Sequence, residues 1–360
     1  MTRKVFWPVA ASLFSVLSCA ASGPEAETAP AAEVAAVEAA APWNFETAAD
    51  AIRETSCAEG GAPMRGMLPL NLTVAPLNER QVEVLSERIQ TGAEFAGAWE
   101  LTSTDPNFGG LSGLAVEDDT SLLAVTDAGG WVKLALNDDA PSAAAIGYMR
   151  GPGGRLLSGK TENDAEGLAV RDGIAFVSFE RDFRVAAFAI GTCGAGANAV
   201  EIAALPSTFE GTVIDSNEGP EALKLSFGGE LEFGFEAAPE GRSPLGHILA
   251  DGAGAWTGKT ASNPSGFALV SMDSVRLPNG TDRDIYLYRS FDPLRGIRSV
   301  LAWGPGEDER IALSRPVMTD NFEGLAVQAL PSGDVRLWIV SDNNFSEQQR
   351  TLIYAIDLNL

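Results

Sequence analysis

A chain of 360 residues carries 49 Asp and Glu against 25 Lys and Arg, a formal net charge of −24. That balance repels polyanions, which excludes nucleic acid and anionic lipid surfaces as partners. One histidine and three cysteines leave little material for zinc, copper or imidazole chemistry.

The N-terminus reads as an export signal. Arg3 and Lys4 precede a short apolar run from Val5 to Leu17, with small residues after it, too short for a comfortable permanent span. Val16-Leu17-Ser18-Cys19 resembles a bacterial lipobox, making residues 1–18 a lipoprotein-type signal peptide and Cys19 the lipidated residue. Ala20 in the next position points to the periplasmic face of the outer membrane. Ordinary cleavage nearby, giving a soluble periplasmic or secreted protein, is the alternative. Residues 19–43 are almost all Ala, Pro and Glu, cannot bury enough apolar surface to offset their ordering entropy, and read as a disordered tether. Membrane contact is then through the lipid alone, and the folded part is expected to be a monomer.

Residues 44–93 read as a helical and irregular pre-domain segment. Phe45, Ala48 and Ile52 recur at helical spacing and predict a helix over 44–56; Val82, Val84, Leu85 and Ile89 predict another over 79–90. With Cys19 assigned to lipid, Cys57 and Cys193 remain as an even pair in an oxidising compartment. Either a disulfide joins them, stapling the pre-domain segment to the second repeat, or they are two buried thiols.

From residue 94 the pattern changes to short strands punctuated by Gly, Asp, Asn and Pro. Asn163-Asp164-Ala165-Glu166-Gly167-Leu168-Ala169-Val170 is written again as Asp320-Asn321-Phe322-Glu323-Gly324-Leu325-Ala326-Val327. Weaker copies begin at Ser112-Gly113-Leu114, at Glu218-Gly219-Pro220-Glu221 and at Ser265-Gly266-Phe267. A separation of about 45 to 58 residues is the period of propeller blades. The fold class is therefore all-β, a β-propeller of five blades over residues 94–360, with a sixth, degenerate blade from residues 60–95 or 224–262 left open. The last repeat lacks a fourth strand, and Phe95–Leu101 stands just upstream of the first. The N- and C-terminal strands are predicted to share one blade and close the ring, which removes the open sheet edge.

In such a ring, like-placed residues of separate repeats meet at one end of the axis. One set is Ser112, Glu166, Glu221, Ser265 and Glu323, with Asn163, Asn217, Asp320 and Asn321 just before them. A second set, at the ends of the second strands, is Asp127, Glu180, Glu236, Arg289 and Asp342. Carboxylates this close bind a cation, pair with Arg, or stay partly protonated. Oxygen donors suit Ca²⁺ or Mg²⁺, and the candidate metal ligands are Glu166, Glu180, Glu221, Glu323, Asp127, Asp342, Asn163 and Asn321. The competing account has these residues capping backbone groups in turns, with arginines neutralising them. The glycine of each Glu-Gly pair is read as a turn glycine. Trp131, Trp256, Trp303 and Trp338 are candidates for a recognition surface.

Asp164-Ala165-Glu166-Gly167-Leu168-Ala169-Val170, Val177-Ser178-Phe179-Glu180-Arg181, Arg289-Ser290-Phe291 with Leu294-Arg295-Gly296, Asn321-Phe322-Glu323-Gly324-Leu325-Ala326 and the stretch from Ser341 to Leu352 together resemble the phytase-like, "esterase-like activity of phytase" family of bacterial exported proteins. The resemblance runs from about Phe95 to the C-terminus. It implies hydrolysis of a small-molecule phosphoester or ester and, through the related propeller phytases, calcium. A Ser-His-Asp triad is not in view. Gly110-Leu111-Ser112-Gly113 is not a Gly-x-Ser-x-Gly elbow, and His247 lies outside every repeat motif. The expectation is a Ca²⁺-assisted hydrolase with Glu166, Glu323, Arg289 and Arg295 as candidate catalytic residues, the arginines holding substrate oxygens beside the metal. A non-catalytic binding or scaffold propeller of the cell envelope is the alternative, and a lactonase-like propeller with a channel metal is a third reading.

Overall fold

Short strands separated by turn residues build five antiparallel sheets that are the blades of a five-bladed β-propeller, and Thr208–Phe209 with Thr212–Val213 adds a small two-stranded hairpin. The computed structural model describes residues 40–57, 66–87, 93–236, 241–304 and 309–360; the expected signal peptide, Cys19 and most of the expected tether lie outside them. From the axis outwards, blade 1 is Leu111–Asp118, Ser121–Thr126, Gly130–Asn137, Ala140–Tyr148 and Leu68–Leu70. Blade 2 is Ala165–Arg171, Ile174–Phe179, Arg184–Phe188 and Val200–Ala204, and blade 3 is Ala222–Leu225, Leu231–Gly234, Pro244–Ile248 and Gly254–Thr260. Blade 4 is Ala268–Arg276, Asp282–Asp292, Gly296–Trp303 and Glu309–Leu313. Blade 5 begins with Asn321–Ala329, Val335–Asp342 and Thr351–Leu358 and is completed by Ala93–Ser103 and Leu72–Pro76.

The predicted closure is present: Ala93–Ser103 pairs antiparallel with Thr351–Leu358, Trp99 opposite Ile353. Neither stretch considered for a sixth blade supplies one among the described residues. Residues from 60–95 add outer strands to blades 1 and 5, and residues from 224–262 belong to blade 3.

Each sheet is covered on both faces by its neighbours, which is why the second strands read as nearly unbroken apolar runs. All eight residues of Val335–Asp342 are buried. Trp131 packs edge-on against Phe188 between blades 1 and 2, and Trp338 stacks with Trp99 between blades 5 and 1. Trp303 is buried in the layer between blades 4 and 5. Trp256 packs against Phe209 and Phe235 and donates its indole N–H to the Thr208 carbonyl. All four tryptophans are thus packing residues, and the expected recognition surface is not formed.

The first helix, Phe45–Ser56, is N-capped by Asn44 and buries Phe45 and Ile52 against Phe176 of blade 2. A Cys57–Cys193 disulfide fixes its end to the same blade. Trp43, at the end of the segment expected as tether, is buried, and its N–H donates to the Ile248 carbonyl. The second helix starts at Glu79 behind an Asn78–Gln81 capping box and runs to Ser86. Among the described residues no helix is long and apolar enough to cross a membrane.

The innermost strands decide what the axis looks like. A bulge interrupts four of them at like places, between Leu111 and Gly113, Ala165 and Leu168, Leu269 and Ser271, and Phe322 and Gly324. The next residue is always small: Gly113, Gly167, Ala222, Ser271 or Gly324. A Cβ on Gly113 would stand 2.3 Å from the Glu166 carbonyl oxygen, and one on Gly167 would stand 2.8 Å from the Glu221 carbonyl oxygen. Neither glycine has a positive φ. A Cβ on Gly324, likewise without a positive φ, would stand 3.0 Å from Leu114 Cβ, so the Glu-Gly glycines Gly167 and Gly324 serve close approach of neighbouring blades, as Gly113 does after Ser112, and not the turn freedom read from the sequence. Gly167→Ala is expected to lower unfolding stability by about 1–3 kcal/mol through overpacking, measured by denaturant titration, whereas Gly66→Ala, with nothing within 4 Å of an added Cβ and no positive φ, should leave it nearly unchanged.

Candidate functional site: an acidic mouth on the axis

Backbone register brings the second-strand set together. The N–H groups of Asp127, Glu180 and Glu236 donate to the carbonyls of Gly110, Asp164 and Gly219, and Arg289 and Asp342 stand opposite Ala268 and Asn321. The five residues of the second set are therefore equivalent. In the first set, the bulges align Ser112, Glu166, Glu221 and Glu323, but blade 4 places Val270 there. Ser265 is exposed in a turn with Gly266, three residues before its inner strand begins. The fifth repeat copy was read out of register, and blade 4 contributes a cation where other blades contribute acids.

Among the described residues, eight carboxylates (Asp127, Asp164, Glu166, Glu180, Glu221, Glu236, Glu323 and Asp342) converge on this mouth against three cations, Lys160, Arg181 and Arg289. Glu166, Glu221 and Glu323 are each 7% exposed and Asp164 is fully buried. Carboxylate oxygens of Asp164, Glu166 and Glu180 lie within 4.8 Å of one another, and so do those of Glu180, Glu221 and Glu236. Glu180 belongs to both groups.

The cations are already engaged. Lys160 Nζ lies 2.7 Å from Asp164 Oδ1 and 3.1 Å from Asp127 Oδ2. Arg181 Nε lies 3.0 Å from Asp164 Oδ2, and its guanidinium also donates to Asn217. Arg289 holds Glu236 at 2.7 Å, Glu323 at 2.7 Å and the Asn321 side-chain carbonyl at 2.6 Å. It is a half-buried clamp across blades 3, 4 and 5, its guanidinium committed to these partners.

Three cations do not neutralise eight acids, and several of the crowded carboxyls are pushed above their ordinary range. Burial pushes Glu323 up to about 8, with Arg289 opposing, and Glu180 up to about 7, with Asp164 adding repulsion. Burial also raises Asp342 to about 6. Glu166 and Glu221 stand well above the ordinary range, by burial first and then by the neighbouring acids. Asp127 is raised by burial, and its Oδ1 has no hydrogen-bond partner among the described residues. Hard oxygen donors, uncompensated charge and one orphaned buried oxygen fit a hard divalent cation.

Two expected site residues stand elsewhere. Asn163 donates its side-chain amide to the Ala128 carbonyl and straps blade 2 to a turn of blade 1. Arg295 is exposed at the tip of the blade 4 hairpin, its backbone N–H held by Asp292. His247 lies in the third strand of blade 3, opposite Glu232. Asp164 and Lys160 belong to the mouth but are not among the residues the sequence assigns to it; Glu236, in the second set, is there as expected though not among the candidate metal ligands. Asp164 was detectable in principle: it occupies the register of Asn321, and Lys160 precedes it at helical i,i+4 spacing.

Sequence comparison meets this geometry at its acidic repeats. Residues 106–274 match the family model described as Phytase-like, esterase-like activity of phytase. The phytase-like match holds Asp127, Asp164, Glu166, Glu180, Glu221 and Glu236, while Arg289, Glu323 and Asp342 lie beyond it. No curated protein matches the chain. Similar solved structures include the PQQ-bound aldose sugar dehydrogenase of Streptomyces coelicolor, at 10% identity and TM-score 0.41, covering 81% of this chain and 100% of that one. The PQQ domain of Coprinopsis cinerea pyranose dehydrogenase matches at 8% identity and TM-score 0.42, covering 84% and 99%. Glutaminyl cyclase of Myxococcus xanthus matches at 11% identity and TM-score 0.41, covering 74% and 97%. At these TM-scores the likenesses carry nothing about chemistry.

The raised carboxyls give the acidic mouth a pH signature. Protons held by folded Glu180 and Glu323, but released by the unfolded chain above about 4.5, make cation-free stability fall as pH rises from about 4.5 to about 8. Thermal unfolding in chelator should give a lower Tm at about pH 8 than at about pH 5.5, and added Ca²⁺ should raise Tm more at the higher pH, because cation and protons compete for the same oxygens.

Proposed function

We propose that the acidic mouth holds a divalent cation, Ca²⁺ by its all-oxygen donor set, and that the protein hydrolyses a small phosphoester or ester there. The observation that carries this reading is the excess of eight buried or half-buried carboxylates over three cations around one axis. Asp164, Glu166 and Glu180 would hold the ion, with Glu221 and Glu236 sharing Glu180 on the adjoining side. When bound, a cation of this kind neutralises substrate charge and activates water. The phytase-like match over residues 106–274 supports the reading.

The chain's own groups do the remaining work. Glu180, raised by burial to about 7 without an ion, gives up its proton as it takes the cation, so uptake near neutral pH releases protons. Arg289 locks Glu236 and Glu323 in place, which keeps the carboxylates preorganised. Lys160 and Arg181, with 59% and 31% of their side chains exposed, are the positive groups at the rim that meet an anionic substrate. We further place the protein on the periplasmic face of the outer membrane through lipidation of Cys19, as a monomer.

Arg289 spanning three blades favours a second reading, in which the acids and their cations only fasten a non-catalytic binding propeller. Calorimetric titration with Ca²⁺ and turnover of phenyl phosphate, phytate and short-chain esters separate the two. Glu166→Gln and Glu180→Gln are each expected to weaken Ca²⁺ at least about tenfold, and turnover with it, with the fold retained. Ca²⁺ binding without turnover leaves the binding propeller; neither binding nor turnover overturns the proposal.

A further inference from the structure

Residues two apart on a strand project from the same face of a sheet. On Asp282–Asp292, Arg289 reaches the axial acids, and Phe291 stands one step nearer the hairpin tip, opposite Ile297. Phe291 is 72% exposed, a large cost to leave an aromatic ring in water unless something covers it. Beside it lies a cavity of about 640 Å³, within the size range of small-molecule sites. Glu236, Arg289 and Asn321 form its polar side and adjoin the mouth; Phe267, Phe291 and Ile297 form its apolar side. One cavity therefore joins the acidic ring to an aromatic wall.

Resting on the cation reading of the mouth, we propose that this cavity selects a phosphate monoester whose alcohol part is apolar, an aryl or branched alkyl group, with Phe291 and Phe267 receiving that group. The headgroup lies toward the cation-bearing ring, and the apolar part leaves water against the two rings. A polyphosphorylated polyol has no apolar surface to bury on that wall and brings further negative charge against the acids. The pairing of an ionic floor with an aromatic wall thus separates the two substrate kinds.

The test uses non-hydrolysable probes on the full chain, so it is independent of turnover. Phenylphosphonate and methylphosphonate are titrated by calorimetry into wild type, Phe291→Ala and Phe267→Ala, with Ca²⁺ and with chelator. Wild type with Ca²⁺ is expected to bind phenylphosphonate about tenfold more tightly than methylphosphonate, the range of one aromatic contact plus burial. Phe291→Ala, at an exposed position that leaves the core intact, should reduce that preference to about twofold or less with Ca²⁺ affinity unchanged. Equal affinities in wild type, a preference that survives both substitutions, or no binding of either phosphonate in either condition overturns the proposal. The cation reading stands or falls separately, on the Ca²⁺ titration made without phosphonate.

Discussion

The contact on which this structure depends is the close approach of neighbouring innermost strands beside each ring acid. With no side chain at Gly113 or Gly167, the backbone of the next blade comes within reach of where a Cβ would be. The adjoining acids are then carried to the axis whether or not their charges tolerate it. Packing of five apolar layers supplies the force, and the carboxylates bear the electrostatic consequence. Blade 4 relieves part of it by offering Val270 and Arg289 where its neighbours offer acids. Burying a guanidinium is costly unless it is paired, and Arg289 is paired with Glu236 and Glu323.

Not every acid near the axis belongs to the mouth. Asp273, on the inner strand of blade 4, is raised by burial to about 6. Its carboxylate accepts N–H bonds from Ser274 and Val327 and so caps the free inner edge of blade 5. Ser271 does the same for Leu325. That is the bland role weighed for the whole ring, and it holds here because each oxygen has a backbone partner. At the mouth the partners are other acids and too few cations, and Asp127 Oδ1 has none among the described residues. The contrast separates structural carboxylates from those that ask for a counterion.

Much of the fold was legible because period and strand punctuation survive in the letters. The paired sentences at Asn163 and Asp320, the missing last strand and the stray strand before the first repeat led to five blades and a shared closing blade. All five residues of the second set fell at equivalent places. The failures have one physical source: which side chain faces the axis is fixed by hydrogen-bond register and bulges, which letters do not display. Ser265-Gly266-Phe267 imitates a repeat start, yet the ladder begins at Ala268 and the bulged residue is apolar Val270. A one-residue offset likewise separates Asn163, a strap, from Asp164, a member of the ring. Arg295 adjoins the motif in sequence, but the hairpin carries it outward.

The account makes charge compensation at the axis the link between architecture and chemistry, and direct location of a bound ion tests it most sharply. Anomalous diffraction from crystals in which a lanthanide replaces Ca²⁺ should give a strong peak at the mouth, within coordinating distance of Asp164, Glu166 and Glu180. Peaks confined to acids on the outer surface, with the mouth holding no ion at neutral pH, would contradict it.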